Sequence, residues 1–518
     1  MLFKVKDIRL KPGYSEEELK RAVLKRLNTY AENVETVTLL RKSIDARNKS
    51  DVRVALTVAA AVRSTKGIRA EEYVAPPSRL KDLKLFGKKS DLKIVVVGSG
   101  PAGLFAALTL AEAGLRPLVI ERGGDVDERV AKVDILRKTG ILDTECNVQY
   151  GEGGAGTFSD GKLNSGIDKE YFSILFGEFI AAGAPADIAY EANPHIGTDL
   201  LRSVVKNLRK RIAELGGEIR CHAKLTDIEV SDRALKGIVV NGCEKIKADI
   251  MVLAIGHSAY DTFRMLNSRG LDMAPKPFSI GVRAEHRQEL ISRAQYGDFA
   301  PLLPPADYKF STHLADGRGV YTFCMCPGGE VVCSSSEEGT IVTNGMSFRA
   351  RDGEFANSAV LVSVAPSDFG GGLWGGFEGR AVIERAAFAA GEGGYRAPAQ
   401  YYGDLIKGKE TSAEITSSYA PALTGTSLER CLPRHILDDI AEGIAVFGRK
   451  LKGFDSPDTV LIGAETRSSC PVTILRNASG EGSIGGIYPA GEGAGYAGGI
   501  TSSAVDGIRA AIRIYGRL

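Results

Sequence analysis

The sequence contains no run of about 20 consecutive apolar residues, so no membrane-crossing helix is expected. Its opening residues, MLFKVKDIRLKPGYSEEELKR, lack the apolar core and small-residue cleavage site of a signal peptide, and a cytoplasmic protein is expected. An excess of either charge is also missing: 66 Lys+Arg against 64 Asp+Glu leave a net charge of +2. That balance argues against a dedicated nucleic-acid binder, which would show a strong basic excess. With 44% hydrophobic and 25% charged residues, the chain is not of the disordered class. The six histidines (195, 222, 257, 286, 313 and 435) show no HxxxH spacing, so no metal is expected. The eight cysteines include no CxxC pair, which suits reduced thiols better than a disulfide framework and argues against a disulfide reductase. Cys324-Met325-Cys326 with Cys333 is the one cysteine cluster; it reads as strand thiols, with a metal or redox role as the alternative. No internal repeat or low-complexity tract is present.

Glycine is in excess, at 61 of 518 residues, or about 12% against a typical ~7%. The glycines are clustered, so each cluster needs a local reason. At roughly 150 residues per domain, the length suggests about three domains. Residues 1–85 read as a small α+β, ferredoxin-like module: alternating strands over Leu2–Leu10, Val34–Ser43 and Asp51–Val62, and a helix after a Ser15–Glu18 capping box. Basic residues at 41, 42, 47, 49 and 53 are either a solvated edge or a contact for an acidic partner or RNA. Lys81–Lys89 reads as part of a charged linker. Residues 91–260 and 466–518 read as a split α/β domain with a Rossmann-like sheet. Strands are expected at 218–230 and 235–246. Residues 261–465 read as a mostly β insertion that forms the substrate domain, with a loop at Gly370–Gly376.

Gly98-Ser-Gly100-Pro101-Ala102-Gly103 follows the hydrophobic strand Lys93–Val97 and opens an Ala-rich helix. Glu121 ends the next strand, 18 residues after Gly103. In this context GxGxxG has a mechanism. Gly98 permits the tight turn, Gly100 lets backbone approach a pyrophosphate, and Gly103 allows close helix–strand packing. The helix N-terminus supplies N–H groups, and Glu121 would accept bonds from ribose hydroxyls. Arg122, Leu225 and Ala254 are the accompanying candidate contacts.

Ile487-Tyr-Pro-Ala-Gly491-Glu492 leads through a glycine-rich turn to Gly499-Ile500 and the last helix. It resembles the second flavin fingerprint of glutathione-reductase-type FAD proteins, with Glu492 where those carry Asp. Leu253-Ala254-Ile-Gly256 resembles the A-T-G strand of the same superfamily. These resemblances imply FAD, with Glu492 near the ribityl or phosphate region. The N-terminus of the last helix would face the flavin edge that gains negative charge on reduction. A third cluster, Tyr150 to Leu163, contains Gly154, Thr157, Gly161 and Lys162. It spells GxxxxGK, but Leu163 stands where a Mg²⁺-binding hydroxyl belongs and no β-branched strand precedes it, so it is not a phosphate loop. In FAD proteins of this type such a segment lies along the pyrophosphate and the flavin face.

Together with His195–Asp199, Val320–Gly329, Thr343–Ser347, Glu465–Pro471 and Pro489–Gly499, that cluster resembles a bacterial and archaeal family called FAD-dependent or NAD(FAD)-utilising dehydrogenases. The resemblance runs over most of the chain and implies redox chemistry without fixing a substrate. The expectation is a flavoprotein oxidoreductase that passes hydride between flavin N5 and a small anionic organic substrate. No second GxGxxG follows a strand between residues 164 and 470, so either NAD(P)H would act as a transient donor or another donor serves. The alternatives are a flavin oxidase or monooxygenase, an RNA-modifying or RNA-binding flavoprotein that docks through residues 1–85, and a redox-sensing scaffold. Oligomeric state stays open. The catalytic candidates are Lys162, His313 and Arg467. Lys162 would bind flavin or an anionic substrate, or be a surface lysine. His313 suits proton transfer. Arg467 suits carboxylate recognition, or an ion-paired structural role.

Overall fold

The computed structural model describes residues 1–85, 90–164 and 170–518. Residues 86–89, the end of the expected linker, lie outside the described residues. The part of that linker on view is docked: Leu80 is buried in the core under the helix Pro101–Glu112, and Arg79 binds the Glu178 carboxylate at 2.9 and 3.1 Å.

The N-terminal strands Leu2–Leu10, Val34–Asp45, Arg53–Val62 and Glu71–Glu72 form one antiparallel sheet in the order second, third, first, fourth. This is the ferredoxin-like strand order, but a short connection after Val62 replaces the second helix. The first helix, Glu16–Leu27, starts as the capping box requires: Ser15 Oγ accepts from Glu18 N, and Glu18 Oε2 accepts from Ser15 N at 2.8 Å. Its Val23 and Leu27 pack on Val5, Leu56 and Val58. The basic residues of the second hairpin are largely matched within the chain. Arg47 pairs with Asp45, Arg53 with Asp51, and Lys42 with Glu191 at 2.8 Å. Backbone bonds from Lys42 to Tyr190 and Ala192 fasten this module to the rest of the chain.

Five parallel strands form the Rossmann-like sheet, in the order Ile487–Pro489, Ile250–Leu253, Ile94–Val97, Leu118–Ile120, Glu218–Arg220. The apolar run Ile94–Val97 is buried on both faces, which is what a central parallel strand needs. Ile94 and Val96 face the helices Pro101–Glu112, Thr198–Glu214 and Ile500–Arg517. Val95 and Val97 face a small antiparallel sheet made by Leu225–Ser231, Ala234–Val240 and Glu244–Lys247. The two strands expected at 218–230 and 235–246 are therefore four. The chain breaks after Arg220, with His222 in the left-handed region at φ +53°, and so changes sheet.

The remaining region is built on a seven-stranded sheet, in the order Ser311–His313, Gly319–Cys326, Phe355–Val364, Phe278–Arg287, Val460–Glu465, Ala397–Tyr401, Leu423–Gly425. It is β-rich but also carries substantial helices, including Gly375–Ala390 and Arg434–Lys450. The expected loop at 370–376 ends as the first turn of one of them, because Gly375 and Gly376 open that helix. Gly376 is required there: a Cβ would stand 2.6 Å from Pro471 and 2.9 Å from the Phe278 ring. Met273–Pro275 pairs antiparallel with Val472–Ile474, so the chain leaves and re-enters the Rossmann unit side by side.

Candidate functional site

The glycine turn after Ile94–Val97 has the tight geometry its spacing implies. Gly98 sits at φ +95°, and a Cβ there would lie 2.3 Å from the Ala254 carbonyl oxygen. A Cβ on Gly103 would lie 1.8 Å from the Gly98 oxygen. Gly100 caps the helix whose first residue is Pro101. Gly154, at φ +64°, approaches it so closely that a Cβ would meet the Gly100 Cα at 2.9 Å. Ala102 touches the second fingerprint: a Cβ on Gly491 would lie 2.7 Å from its side chain. Gly256 and Glu492 are neighbours as well. His257 Nε2 stands 4.0 Å from Glu492 Oε1, and Gly493 packs on the Gly256 backbone. The GxGxxG, A-I-G and G-E segments, 98–103, 254–256 and 491–492, thus meet in one place.

The third glycine segment joins them. Gly161 sits at φ +67° against Gly197, and Thr157 accepts a bond from the Thr198 hydroxyl at 2.7 Å. The Leu163 carbonyl accepts from Thr501 Oγ1 at 2.8 Å, which ties this segment to the first turn of Ile500–Arg517. Ile500 itself packs against Gly156. Around Gly498 and Gly499, at the start of that helix, a Cβ would meet nothing within 4 Å, so the helix start is open on that side, with Gly498 N donating to Ser502 Oγ at 3.2 Å.

Four expectations need correction. Glu121 does not present a free carboxylate for ribose. Oε2 accepts from Ser99 N (2.9 Å) and Ser99 Oγ (2.8 Å), and Oε1 from Gly123 N and Gly151 N (both 3.0 Å). It therefore ties two glycine segments together. Arg122 is likewise engaged, with Glu145 and Asp261, and lies over the Tyr150 ring at 3.9 Å. His313 is exposed on the edge strand Ser311–His313, with three strands between it and Val460–Glu465, and is not part of the cluster. Leu225 is buried in the core behind the sheet.

Arg467 lies near the cluster but is locked. Its guanidinium binds Glu384 at 3.0 and 2.6 Å, Ser336 Oγ at 2.6 Å and Glu337 at 3.1 Å, with Glu384 1% exposed. This is the ion-paired alternative, and no donor pair is left for a substrate carboxylate. Sequence reading missed Arg380, one helical turn before Glu384. It is 2% exposed, its Nη2 donates to the His257 carbonyl at 3.0 Å, and its Nη1 is buried without a partner. A buried guanidinium beside the Gly256–His257 turn, with one donor free among the described residues and Glu384 answering its charge only through space, fits a phosphate-bearing ligand. With the glycine cradle and the open helix N-terminus, the residues present fit FAD.

Lys162 is the charged group left over. Its neighbour Asp160 is bound bidentately by Arg351, at 2.9 and 2.5 Å, and the Lys162 ammonium stands 3.9 Å from the same carboxylate, beyond hydrogen-bond range. Arg349, from the same loop as Arg351, is taken by Asp187 and by the His195 carbonyl. Burial and the Arg351 charge hold the His195 imidazole neutral, with its pKa down at about 4. Burial pushes the Glu492 carboxyl the other way, up to about 7, partly offset by Lys276. Below that value Glu492 is protonated in the folded chain but ionised once unfolded, down to about 4.3. Stability of the cofactor-free protein should therefore fall as pH rises from about 4.5 to 7, by at most roughly 3 kcal/mol. Glu492→Gln should flatten that slope in thermal melts taken across the window; an unchanged slope would show that the carboxyl titrates normally.

The fold and cradle define a Rossmann-like FAD-dependent oxidoreductase with a β-rich second unit. Residues 93–129 match the FAD binding domain family, and residues 277–468 match the family described as FAD-dependent protein, C-terminal domain-like. Residues 3–61 match a domain of unknown function, DUF8436. The chain is 44% identical over 527 residues to an uncharacterized protein of Clostridium beijerinckii, covering 99% of this chain and 98% of that one. It belongs to the same family as that protein. It is also similar to the digeranylgeranylglycerophospholipid reductase of Methanosarcina mazei, at 27% identity over 206 residues, which is 38% of this chain and 45% of that one. Among solved structures, CtdE in complex with FAD aligns over 82% of this chain and 84% of its own, at 13% identity and a TM-score of 0.35, too low to bear on the site.

Proposed function

We propose that this chain is an FAD-dependent dehydrogenase or reductase that passes hydride between flavin N5 and a small anionic organic substrate, with NAD(P)H as a visiting donor. The observation that carries the reading is the Lys162 ammonium beside the first turn of Ile500–Arg517, whose ion-pair partner among the described residues, Asp160, stands 3.9 Å away and is already bound by Arg351. Bound FAD would supply the two-electron hydride chemistry. The turn Gly98–Gly103 and the helix N-terminus at Pro101 would hold its pyrophosphate, with Ala254, Gly256, Arg380 and Gly491–Glu492 on the other side. Gly154, Thr157, Gly161 and Leu163 would lie along the ring. The N-terminus of the last helix, at Gly499–Ile500, would stabilise negative charge on the reduced ring. Glu121 orders the cradle without touching the ribose.

In this reading Lys162 Nζ holds the substrate carboxylate. Its bond is worth about 1.5–3 kcal/mol. Lys162→Met should therefore weaken simple carboxylates by roughly tenfold to a hundredfold, read as perturbation of the flavin absorbance, with FAD still bound. Equal carboxylate affinity in the variant would remove Lys162 from the site.

The reading as a whole is tested by an anaerobic absorbance spectrum, followed by titration with NADH and NADPH. A yellow protein bleached by one of them supports both cofactor and donor. A yellow protein bleached by neither removes NAD(P)H from the scheme. A colourless protein that cannot be reconstituted with FAD overturns the proposal.

A further inference from the structure

His257 has no role in the reading above, yet it closes a buried chain of hydrogen bonds. Ser258 Oγ donates to Gln149 Oε1 at 3.1 Å, and Gln149 Nε2 donates in turn to Ser334 Oγ. The Ser258 hydroxyl has one proton and gives it to Gln149, so its 3.0 Å contact with His257 Nδ1 is filled by an Nδ1–H donor. That leaves the bare lone pair of the neutral imidazole on Nε2. The turn that carries the ring is fixed from three sides. Tyr150 Oη donates to the Ser258 carbonyl at 2.8 Å, Arg380 Nη2 donates to the His257 carbonyl at 3.0 Å, and a Cβ on Gly493 would lie 2.4 Å from the Gly256 oxygen.

Nε2 faces Glu492 Oε1 at 4.0 Å, and a shift of about 1 Å by the flexible Glu492 side chain brings the two into hydrogen-bond range. The Glu492 side chain keeps 26% of its surface and the His257 ring behind it 8%. The carboxyl thus stands between a bare lone pair and the cleft proposed for the pyrophosphate. Among the described residues no group donates to it. Lys276 acts on it by charge, but the Lys276 ammonium donates to the Gly495 carbonyl at 2.9 Å. Cys470 also faces it, as a thiol that burial pushes up to about 11. On the His257 side stand Tyr150, Arg380 and Arg467, the last bound to Glu384. Burial and the Arg380 and Arg467 charges keep the imidazole neutral, down to about 3, so it does not take a second proton. An ionised Glu492 would have a lone pair on one side, a doubly charged pyrophosphate on the other and no N–H bond. A protonated Glu492 has one O–H, and His257 Nε2 is placed to accept it.

We propose that Glu492 and His257 couple FAD binding to the uptake of one proton: the Glu492 carboxyl takes the proton from solvent as the pyrophosphate enters, and His257 Nε2 accepts the hydrogen bond of the O–H so formed. His257 is then a positioning residue that acts on the cofactor through Glu492. Glutamate in place of the fingerprint's aspartate supplies the reach to Nε2. This coupling rests on the FAD reading above and adds control of cofactor loading by pH. Below pH about 7 the carboxyl is already protonated and affinity stays level. Above that, each pH unit weakens FAD binding by up to about tenfold.

The test is calorimetric titration of FAD into the full-length protein stripped of flavin, at about pH 6 and about pH 8.5. The wild type should bind about 10- to 30-fold more weakly at the higher pH. There its binding heat should differ between two buffers of unlike ionisation enthalpy, by the amount that one proton per FAD requires. Glu492→Gln offers an N–H without a charge, so its affinity should agree at the two pH values within about twofold. His257→Phe should move the onset of weakening to lower pH, and His257→Gln, whose amide oxygen restores an acceptor, should move it back. A merely structural His257 would lower affinity equally at both pH values. Should the variants fail to fold, the buffer comparison on the wild type decides alone. Equal affinity and equal heats in the wild type, or the same loss with pH in Glu492→Gln, overturns the coupling and leaves the FAD reading standing. A chain that binds no FAD at the lower pH overturns both.

Discussion

Gly103→Ala is expected to give protein with less than a tenth of the wild-type flavin content. The Cβ would stand 1.8 Å from the Gly98 oxygen and 3.3 Å from Val96 Cγ1, far inside van der Waals contact. Relief requires either the helix Pro101–Glu112 to lift from the sheet or the Gly98 peptide to turn. The helix is pinned from outside: Gly507 of the last helix lies against Ala102, where a Cβ would meet the Ala102 oxygen at 2.1 Å. The Gly98 peptide is pinned by Ala254 and by its own N–H bond to the Ile120 carbonyl at 2.8 Å. Overpacking of this kind costs about 1–3 kcal/mol and sometimes more. Each movement displaces the N–H groups that would receive a pyrophosphate, so cofactor affinity should suffer beyond the loss in stability. Gly114→Ala is the control: φ is +83° but nothing lies within 4 Å, so only about 1–2 kcal/mol of backbone strain is expected, with flavin retained. The measurement is flavin absorbance per purified protein after reconstitution. Wild-type flavin content in Gly103→Ala would show that the turn does not set the cofactor site.

The contrast between the Gly103 and Arg467 neighbourhoods marks how far the sequence could be read. The βαβ unit was legible because its signals are local: a β-branched strand, glycines at fixed offsets and an Ala-rich helix all fall between residues 93 and 121. The chain's return to that sheet at Ile487–Pro489 was legible for the same reason. Partner choice across the fold was not. Glu121 was assigned to a ribose, but Gly151, 30 residues on, and Ser99 use its oxygens. Arg467 stayed open between a substrate carboxylate and an ion pair, because its partner Glu384 is 83 residues away on a helix. His313 was a candidate for proton transfer, but strand order within the seven-stranded sheet puts it at the edge, and no local pattern encodes that order. Arg434–Lys450 had a readable stripe in Ile436, Leu437, Ile440, Ile444 and Phe447, at helical spacing on one buried face. Gly375–Ala390 had no comparable signal, since it opens on two glycines and carries five alanines.

Glu384→Gln is expected to be among the most damaging single changes, at about 3–5 kcal/mol, although it alters no volume and lies on no strand end. Glu384 is the buried negative charge between two buried guanidinium groups. Arg467 binds it directly, and Arg380 acts on it through space while keeping Nη1 unpaired. Its carboxyl is held below the ordinary carboxylate range by the Arg467 and Arg380 charges, which outweigh burial. The amide keeps the shape but removes the charge, leaving two cations side by side with only the half-exposed Glu337 to answer them. The expected compensation is specific. Adding Arg380→Met to Glu384→Gln removes one of the two uncompensated cations, so the double variant should melt at a higher temperature than Glu384→Gln alone. A structural role for Arg467 requires this pattern. A carboxylate-binding role would instead leave Glu384→Gln within about 1 kcal/mol of wild type and change ligand affinity only. Urea unfolding of the two variants and the wild type separates these outcomes, and rescue by the second substitution is the result that a substrate-binding Arg467 could not produce.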